Sequence, residues 1–191
     1  VGGDAGDLAG LDIEATVIVA TQEDETAGTT VRTTPEGGNA GASARLVFAC
    51  DDGIDCSSTQ LNVNVGDEID LDLYLSDVVN LDGVGAKIRY DADILEFVAA
   101  LDRVDGRDNV LRQENGRALI LPPLLREPVL RIGGSLVDGD AVDGGGWAAR
   151  VRFRVTDEFE GAQVFLEEVT LSSTIGQDVI APAQSAKVAP P

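Results

Sequence analysis

The chain has no histidine and no methionine, and only two cysteines, one tryptophan and two lysines. Each shortage narrows what the protein can be. Without histidine it lacks the side chain that most often moves protons near neutral pH, and the commonest nitrogen ligand for zinc. No serine sits in a nucleophile-elbow sequence, so nucleophilic catalysis has no obvious agent. Carboxylates are plentiful, but plenty alone does not define a catalytic pair. A non-enzymatic protein is therefore expected. No apolar run approaches the length of a membrane-spanning helix, so no membrane span is predicted. Aromatic residues make up only 4% of the chain while hydrophobic residues reach 43%, so the core must be built from Val, Leu, Ile and Ala.

Positive charge is scarce as well. Fourteen Lys and Arg face 34 Asp and Glu across 191 residues, a net charge of −20. That balance excludes a nucleic-acid partner, which needs a basic surface to displace counterions. It favours solubility and suits salty surroundings, where screening relieves self-repulsion. The first residue is Val1 rather than a methionine, which reads as a processed chain that has lost an export signal. Cys50 and Cys56 are separated by a short loop containing Gly53, a spacing that permits a disulfide. Such a bond needs an oxidising compartment, so an extracellular or cell-surface location is expected. A metal site built on these two thiols would lack partner ligands, because the chain holds no His and no other Cys.

Against these absences stands a strong period of two. In residues 68–75, Ile69, Leu71, Leu73 and Leu75 fall on one side, with Glu68, Asp70, Asp72 and Tyr74 on the other. Gly66-Asp67 precedes this strand, and Asn80-Leu81-Asp82-Gly83 follows it as a predicted turn. Further strands are predicted at 44–50, 60–65, 84–90, 94–98 and 129–132. A hairpin is predicted from 109–113 and 117–121 around Glu114-Asn115-Gly116. Residues 122–128 (PPLLREP) and the Gly- and Asp-rich 133–146 read as loops, and helix is limited to one turn near 91–95. Residues 1–10 form a Gly- and Asp-rich lead. Residues 11–22 then read as a strand, with Leu11, Ile13, Ala15, Val17 and Val19 on one face and Ile18 making its centre apolar on both. Residues 23–43 read as a polar linker. The expected organisation is an N-terminal extension over 1–43 and an all-β sandwich domain over 44–191.

Three segments carry a family resemblance. The order Val65-Gly66-Asp67, then Gly85-Ala86-Lys87-Ile88-Arg89-Tyr90-Asp91, then Ile94-Leu95-Glu96-Phe97-Val98 resembles the cohesin domain. Residues 147–155 and 164–172 are similar to that family's penultimate strand and to the approach to its last strand. The resemblance covers roughly residues 44–188. It implies a jelly-roll sandwich of about nine strands that binds proteins and performs no chemistry. It also implies that residues 149–155 lie beside the strand carrying Lys87 and Arg89, on the sheet the family uses for its dockerin partner.

Candidate sites follow. Arg150, Arg152 and Arg154 alternate with Ala149, Val151, Phe153 and Val155, which places three guanidinium groups on one exposed face. With Lys87 and Arg89 they would form a basic docking face for an acidic partner. The competing reading pairs them with neighbouring Asp and Glu across strands. Asp138, Asp140 and Asp143 in a Gly-rich loop suit calcium, although Asp and Gly are also ordinary turn formers. Asp102, Asp105 and Asp108 around Gly106 form a cluster of similar quality, and Asp51, Asp52 and Asp55 a weaker one. The strand at 11–22 needs a sheet to join, in its own domain or in a neighbour's. Donation to a neighbour would propagate head to tail. The leading expectation is a secreted structural protein that self-associates into extracellular filaments by donating this strand. The alternative is a cohesin-type adaptor that binds a dockerin-bearing partner, or a carbohydrate-adhering module. For sugar binding, Trp147, Tyr74 and Tyr90 are few and scattered.

Overall fold

A computed structural model of the chain describes residues 39, 41–50, 56–60, 62–104, 106–173, 176–180 and 185–191. The predicted strand at 11–22 lies outside the described residues, as do Asp51, Asp52, Asp55 and Asp105. Twelve strands are present among those described: β1 (Ser43–Phe48), β2 (Thr59–Gln60), β3 (Glu68–Tyr90), β4 (Leu95–Leu101), β5 (Arg103–Val104), β6 (Arg107–Asp108), β7 (Arg117–Arg126), β8 (Val129–Asp138), β9 (Val142–Val155), β10 (Ala162–Ser173), β11 (Gly176–Ile180) and β12 (Ala186–Val188).

The all-β sandwich expected from the alternation is what forms, but its central strand differs from the prediction. Residues 68–90 make one strand of 23 residues instead of two strands and a turn. Its first half pairs with β1 on one side and β9 on the other. Its second half pairs with β10 and β8, so β3 belongs to both layers. The two layers are therefore β4–β9–β3–β1 and β7–β8–β3–β10, the second continued by β11, β12 and β2. Residues expected to reverse the chain bend it instead. Asp77 and Asn80 take φ of 57° and 50°, and the register against β9 slips on both sides of Val78. Asn and Asp tolerate the left-handed region, and such irregularities turn a strand from one sheet into the next. The corner is pinned by side chains. Asn39, fully buried, accepts from the Val79 N–H at 2.7 Å and donates to its carbonyl at 3.2 Å, while Asp143 Oδ1 accepts from the Asn80 N–H at 2.7 Å.

The core lies between the layers and is aliphatic, as composition requires. Leu46, Leu71, Leu73, Ile88, Leu130, Phe153, Val164 and Leu171 are among its buried members. Three of the eight aromatics meet at one point. The Phe153 ring lies 4.8 Å from that of Tyr90 and 6.1 Å from that of Phe97, within the range in which tilted and edge-on rings attract.

Other predictions are corrected. The expected strand at 109–113 is a 3-10 helix over Val110–Asn115, whose first turn is capped by the Asn109 side chain accepting from the Leu111 N–H. An Asn that caps outcompetes weak strand propensity. The Asn115-Gly116 hairpin is therefore absent. Residues 122–126 continue β7, with Pro122 and Pro123 absorbed in a register shift against β8. Proline is tolerated there because β7 pairs only with β8 among the described strands, leaving its other edge without donors to lose. Most of 133–146 is strand, because Gly133, Gly134, Gly145 and Gly146 lie in β8 and β9. The predicted strand at 60–65 shrinks to β2, and Asn62 turns the chain at φ 59°. The single turn near 91–95 forms through the Leu95 N–H donating to the Asp91 carbonyl at 2.8 Å.

Candidate functional site: two charged faces

The five cations singled out in the sequence are divided between the two layers. Arg150, Arg152 and Arg154 project from the outer face of the first layer. Directly opposite them on β3 stand Asp72, Asp70 and Glu68. Arg150 donates to Asp72 through Nε at 2.7 Å and Nη2 at 2.8 Å, and Arg152 grips Asp70 with the same pair of distances. Arg154 Nη2 donates to Glu68 at 2.8 Å, and Glu96 on β4 lies 3.6 Å from its Nη1. A hydrogen bond from each arginine to its carboxylate is the main reason all three guanidinium groups are held above their ordinary pKa. Arg107 reaches over from β6, donating to Asp72 and to the Tyr74 hydroxyl at 3.0 Å each. It also donates to the Cys50 carbonyl, tying the ladder to the disulfide. Cys50 and Cys56 are bonded, with their Cα atoms 5.6 Å apart. This face is thus an internally neutralised ladder, the cross-strand arrangement weighed in the sequence.

Lys87 and Arg89 lie in the second half of β3, on the outer face of the other layer. Both engage one carboxylate on β10, Glu167, with Lys87 Nζ at 2.7 Å and Arg89 Nε on the other oxygen. Burial opposes ionisation of Glu167, but the hydrogen bonds from Arg89 and Lys87 outweigh it and hold its pKa below the ordinary value. The two predicted groups of cations therefore do not form one surface.

What surrounds Lys87 and Arg89 was not legible as a site. Opposite Lys87 on β8 is Arg131, and opposite Arg131 on β7 is Leu124. Next along the strands come Gly85, Gly133 and Leu121, then Gly83, Ser135 and Leu119. β10 closes the far side with Thr170 and Ser172. Simple alternation would place Leu124 on the opposite face from Leu119 and Leu121. The register shift between Leu121 and Leu124 inserts one extra residue on β7 and returns all three to the same side. They stand 57%, 56% and 50% exposed for Leu119, Leu121 and Leu124. The floor is low because it is glycine. At Gly133 a Cβ would come within 2.7 Å of the Val84 carbonyl oxygen, so no larger residue fits without moving backbone. The result is a depression of about 430 Å³, walled by leucine and floored by Gly, Ser and Thr. At one end Arg126 and Arg131 join Lys87. Arg126 and Arg131 form no ion pair with a described carboxylate.

The remaining candidates are soon placed. Asp138 Oδ1 accepts from the Gly139 N–H and Asp143 Oδ1 from the Asn80 N–H, so each satisfies local backbone. Among the described residues no group of three acidic or thiol side chains gathers as a metal site would require. Asp102 pairs with Arg112 at 2.6 Å, and Asp108 pairs with Arg103. Trp147 and Tyr90 are buried and offer no platform for a sugar. Among the described residues no helix is long and apolar enough to cross a membrane.

No family model and no curated protein matches the sequence. Solved structures do. A non-cellulosomal cohesin from the archaeon Archaeoglobus fulgidus aligns at 14% identity and TM-score 0.53, covering 78% of this chain and 91% of that one. Type II cohesin A11 from Bacteroides cellulosolvens aligns at 18% identity and TM-score 0.55, covering 78% and 99%. A type II cohesin–X–dockerin complex from Acetivibrio cellulolyticus supplies a third match, at 16% identity and TM-score 0.52 over 77% and 95%. With the layer order and the central strand established above, these matches give the conclusion that the described domain has the cohesin fold.

Proposed function

We propose that this protein is a non-catalytic, exported module that holds another protein on the outer face of β7–β8–β3–β10. The observation that carries the reading is the grouping of Leu119, Leu121 and Leu124 on one side of an edge strand, next to Arg126 and Arg131, on a chain of net charge −20. Clustered exposed leucines are costly to leave in water and mark interaction surfaces. Adjacent cations on an otherwise acidic molecule add orientation and speed of encounter. The disulfide supports an oxidising, extracellular or surface setting.

A dockerin-bearing protein is the first partner class, suggested by the solved complex that shares this fold. Dockerin-bearing proteins from the same source, titrated calorimetrically, test it. Leu121→Asp is expected to weaken capture at least tenfold, while Arg152→Ala leaves it unchanged. Capture lost with Arg152→Ala and kept with Leu121→Asp would move the partner to the other layer and end this reading.

The second partner class is another copy of the chain. Its support is β7, which ends its layer among the described strands and displays apolar side chains. Self-association through Leu11, Ile13, Ala15, Val17, Ile18 and Val19 of a neighbour would build extracellular filaments, because the contact joins two different surfaces and does not close.

A further inference from the structure

The outer face of β7–β8–β3–β10 has a direction. Along β7 it begins with Leu119 and Leu121, passes Leu124 and ends at Arg126. Along β8 it runs from Ser135 and Gly133 to Arg131. From Leu119, opposite Ser135, to Arg126, opposite Val129, the face runs six steps along β8, about 20 Å at the rise of a strand. Lys87 and Arg89 share Glu167, and Arg150, Arg152 and Arg154 are matched by Asp72, Asp70 and Glu68. Arg126 and Arg131 are the cations of this face without a described carboxylate. They need no existing pair broken before they meet an incoming one.

A segment with the complementary order occurs in the same sequence. Residues 11–25, LDIEATVIVATQEDE, contain five carboxylates and no basic residue. Val17, Ile18 and Val19 form its apolar centre, and Glu23, Asp24 and Glu25 follow. Extended, the seven steps from Val17 to Asp24 span about 23 Å, which matches the length of the face. Resting on the reading that this face binds protein, we propose that it takes residues 11–25 of a second copy, laid in the same direction as β7. Val17 and Val19 cover Leu119 and Leu121, Thr21 passes Leu124, and Glu23, Asp24 and Glu25 meet Arg126 and Arg131. The glycine floor at Gly85 and Gly133 allows the close approach. Arg126 and Arg131 set specificity, because a segment of the same hydrophobicity in reverse order would place its acids over leucine.

Complementation tests this with full-length chains. One variant carries Arg126→Glu and Arg131→Glu, which spoils the face and keeps the segment. The other carries Glu23→Lys, Asp24→Lys and Glu25→Lys, which spoils the segment and keeps the face. Circular dichroism and thermal melts check that both remain folded, as surface reversals should. In sedimentation velocity the unaltered protein is expected to assemble with concentration, each variant alone to stay monomeric, and an equimolar mixture to assemble again by alternation, because each variant's segment matches the other's face. All five reversals in one chain should restore assembly. A mixture that stays monomeric, or a face variant that assembles as the unaltered chain does, overturns the proposal. A monomeric unaltered chain with an assembling mixture places the contact within one chain and overturns the assignment to a neighbour. If the mixture fails but a dockerin-bearing protein still titrates onto the segment variant and not the face variant, the binding face stands and only its occupant is wrong.

Discussion

Asp72 has no exposure to solvent, and its carboxylate is closed in by Arg150 on β9 and Arg107 on β6. A buried ion pair contributes little against an apolar replacement of the whole, but removing one member strands the other. Asp72→Ala is expected to cost roughly 2–4 kcal/mol, discounted for the partial exposure of both arginines. Glu68→Ala, at the exposed end of the same ladder, should cost under about 1 kcal/mol. Urea denaturation of the two variants gives the comparison, and equal losses would contradict it. The sequence already separated outward Arg150, Arg152 and Arg154 from inward Val151, Phe153 and Val155, since period two does that for any strand. It did not say which carboxylates stand opposite, because register is decided between strands far apart in the chain. For the same reason Arg126 and Arg131 passed unnoticed: what sets them apart is the partner they lack, and pairing is a property of the folded neighbourhood.

At the level of strands, the legible elements were those with clean alternation and the illegible ones those with an irregularity. Residues 68–75 and 84–90 were found, yet their union as β3 was not, because Asp77 and Asn80 carry the same local chemistry whether they bend a strand or reverse it. Likewise Pro122 and Pro123 read as the end of a strand, when an edge position with one inserted residue accommodates them. Gly145 marks where such irregularity is obligatory. Its φ is +126°, and a Cβ there would lie 2.3 Å from the Leu75 carbonyl oxygen, a backbone atom that cannot swing aside. Gly145→Ala is expected to cost roughly 2–4 kcal/mol, from strain and the opening of the β3–β9 ladder. Gly144→Ala, at φ +89° with nothing within 4 Å, should cost about 1 kcal/mol. Thermal unfolding of both distinguishes a steric requirement from a purely conformational one.

Across the molecule, a net charge of −20 is spread over 191 residues, while many of the described arginines are committed to local pairs. The excess of carboxylates therefore repels itself, and only solvent ions relieve it. The melting temperature is expected to rise by several degrees between dilute buffer and molar sodium chloride. A fall would show that the surface pairs outweigh the repulsion. The fold class was legible at this scale because the chain offers alternation and almost no helical period.

The continuity of β3 through both layers has a mechanical meaning. In a sandwich whose sheets are joined only by loops, a pull can peel one sheet from the other while each stays whole. Here a single covalent rod is stitched into both, flanked by β1 and β9 at one end and by β10 and β8 at the other. Tension drawn along that rod would load whole rows of hydrogen bonds in shear at once instead of opening them one by one.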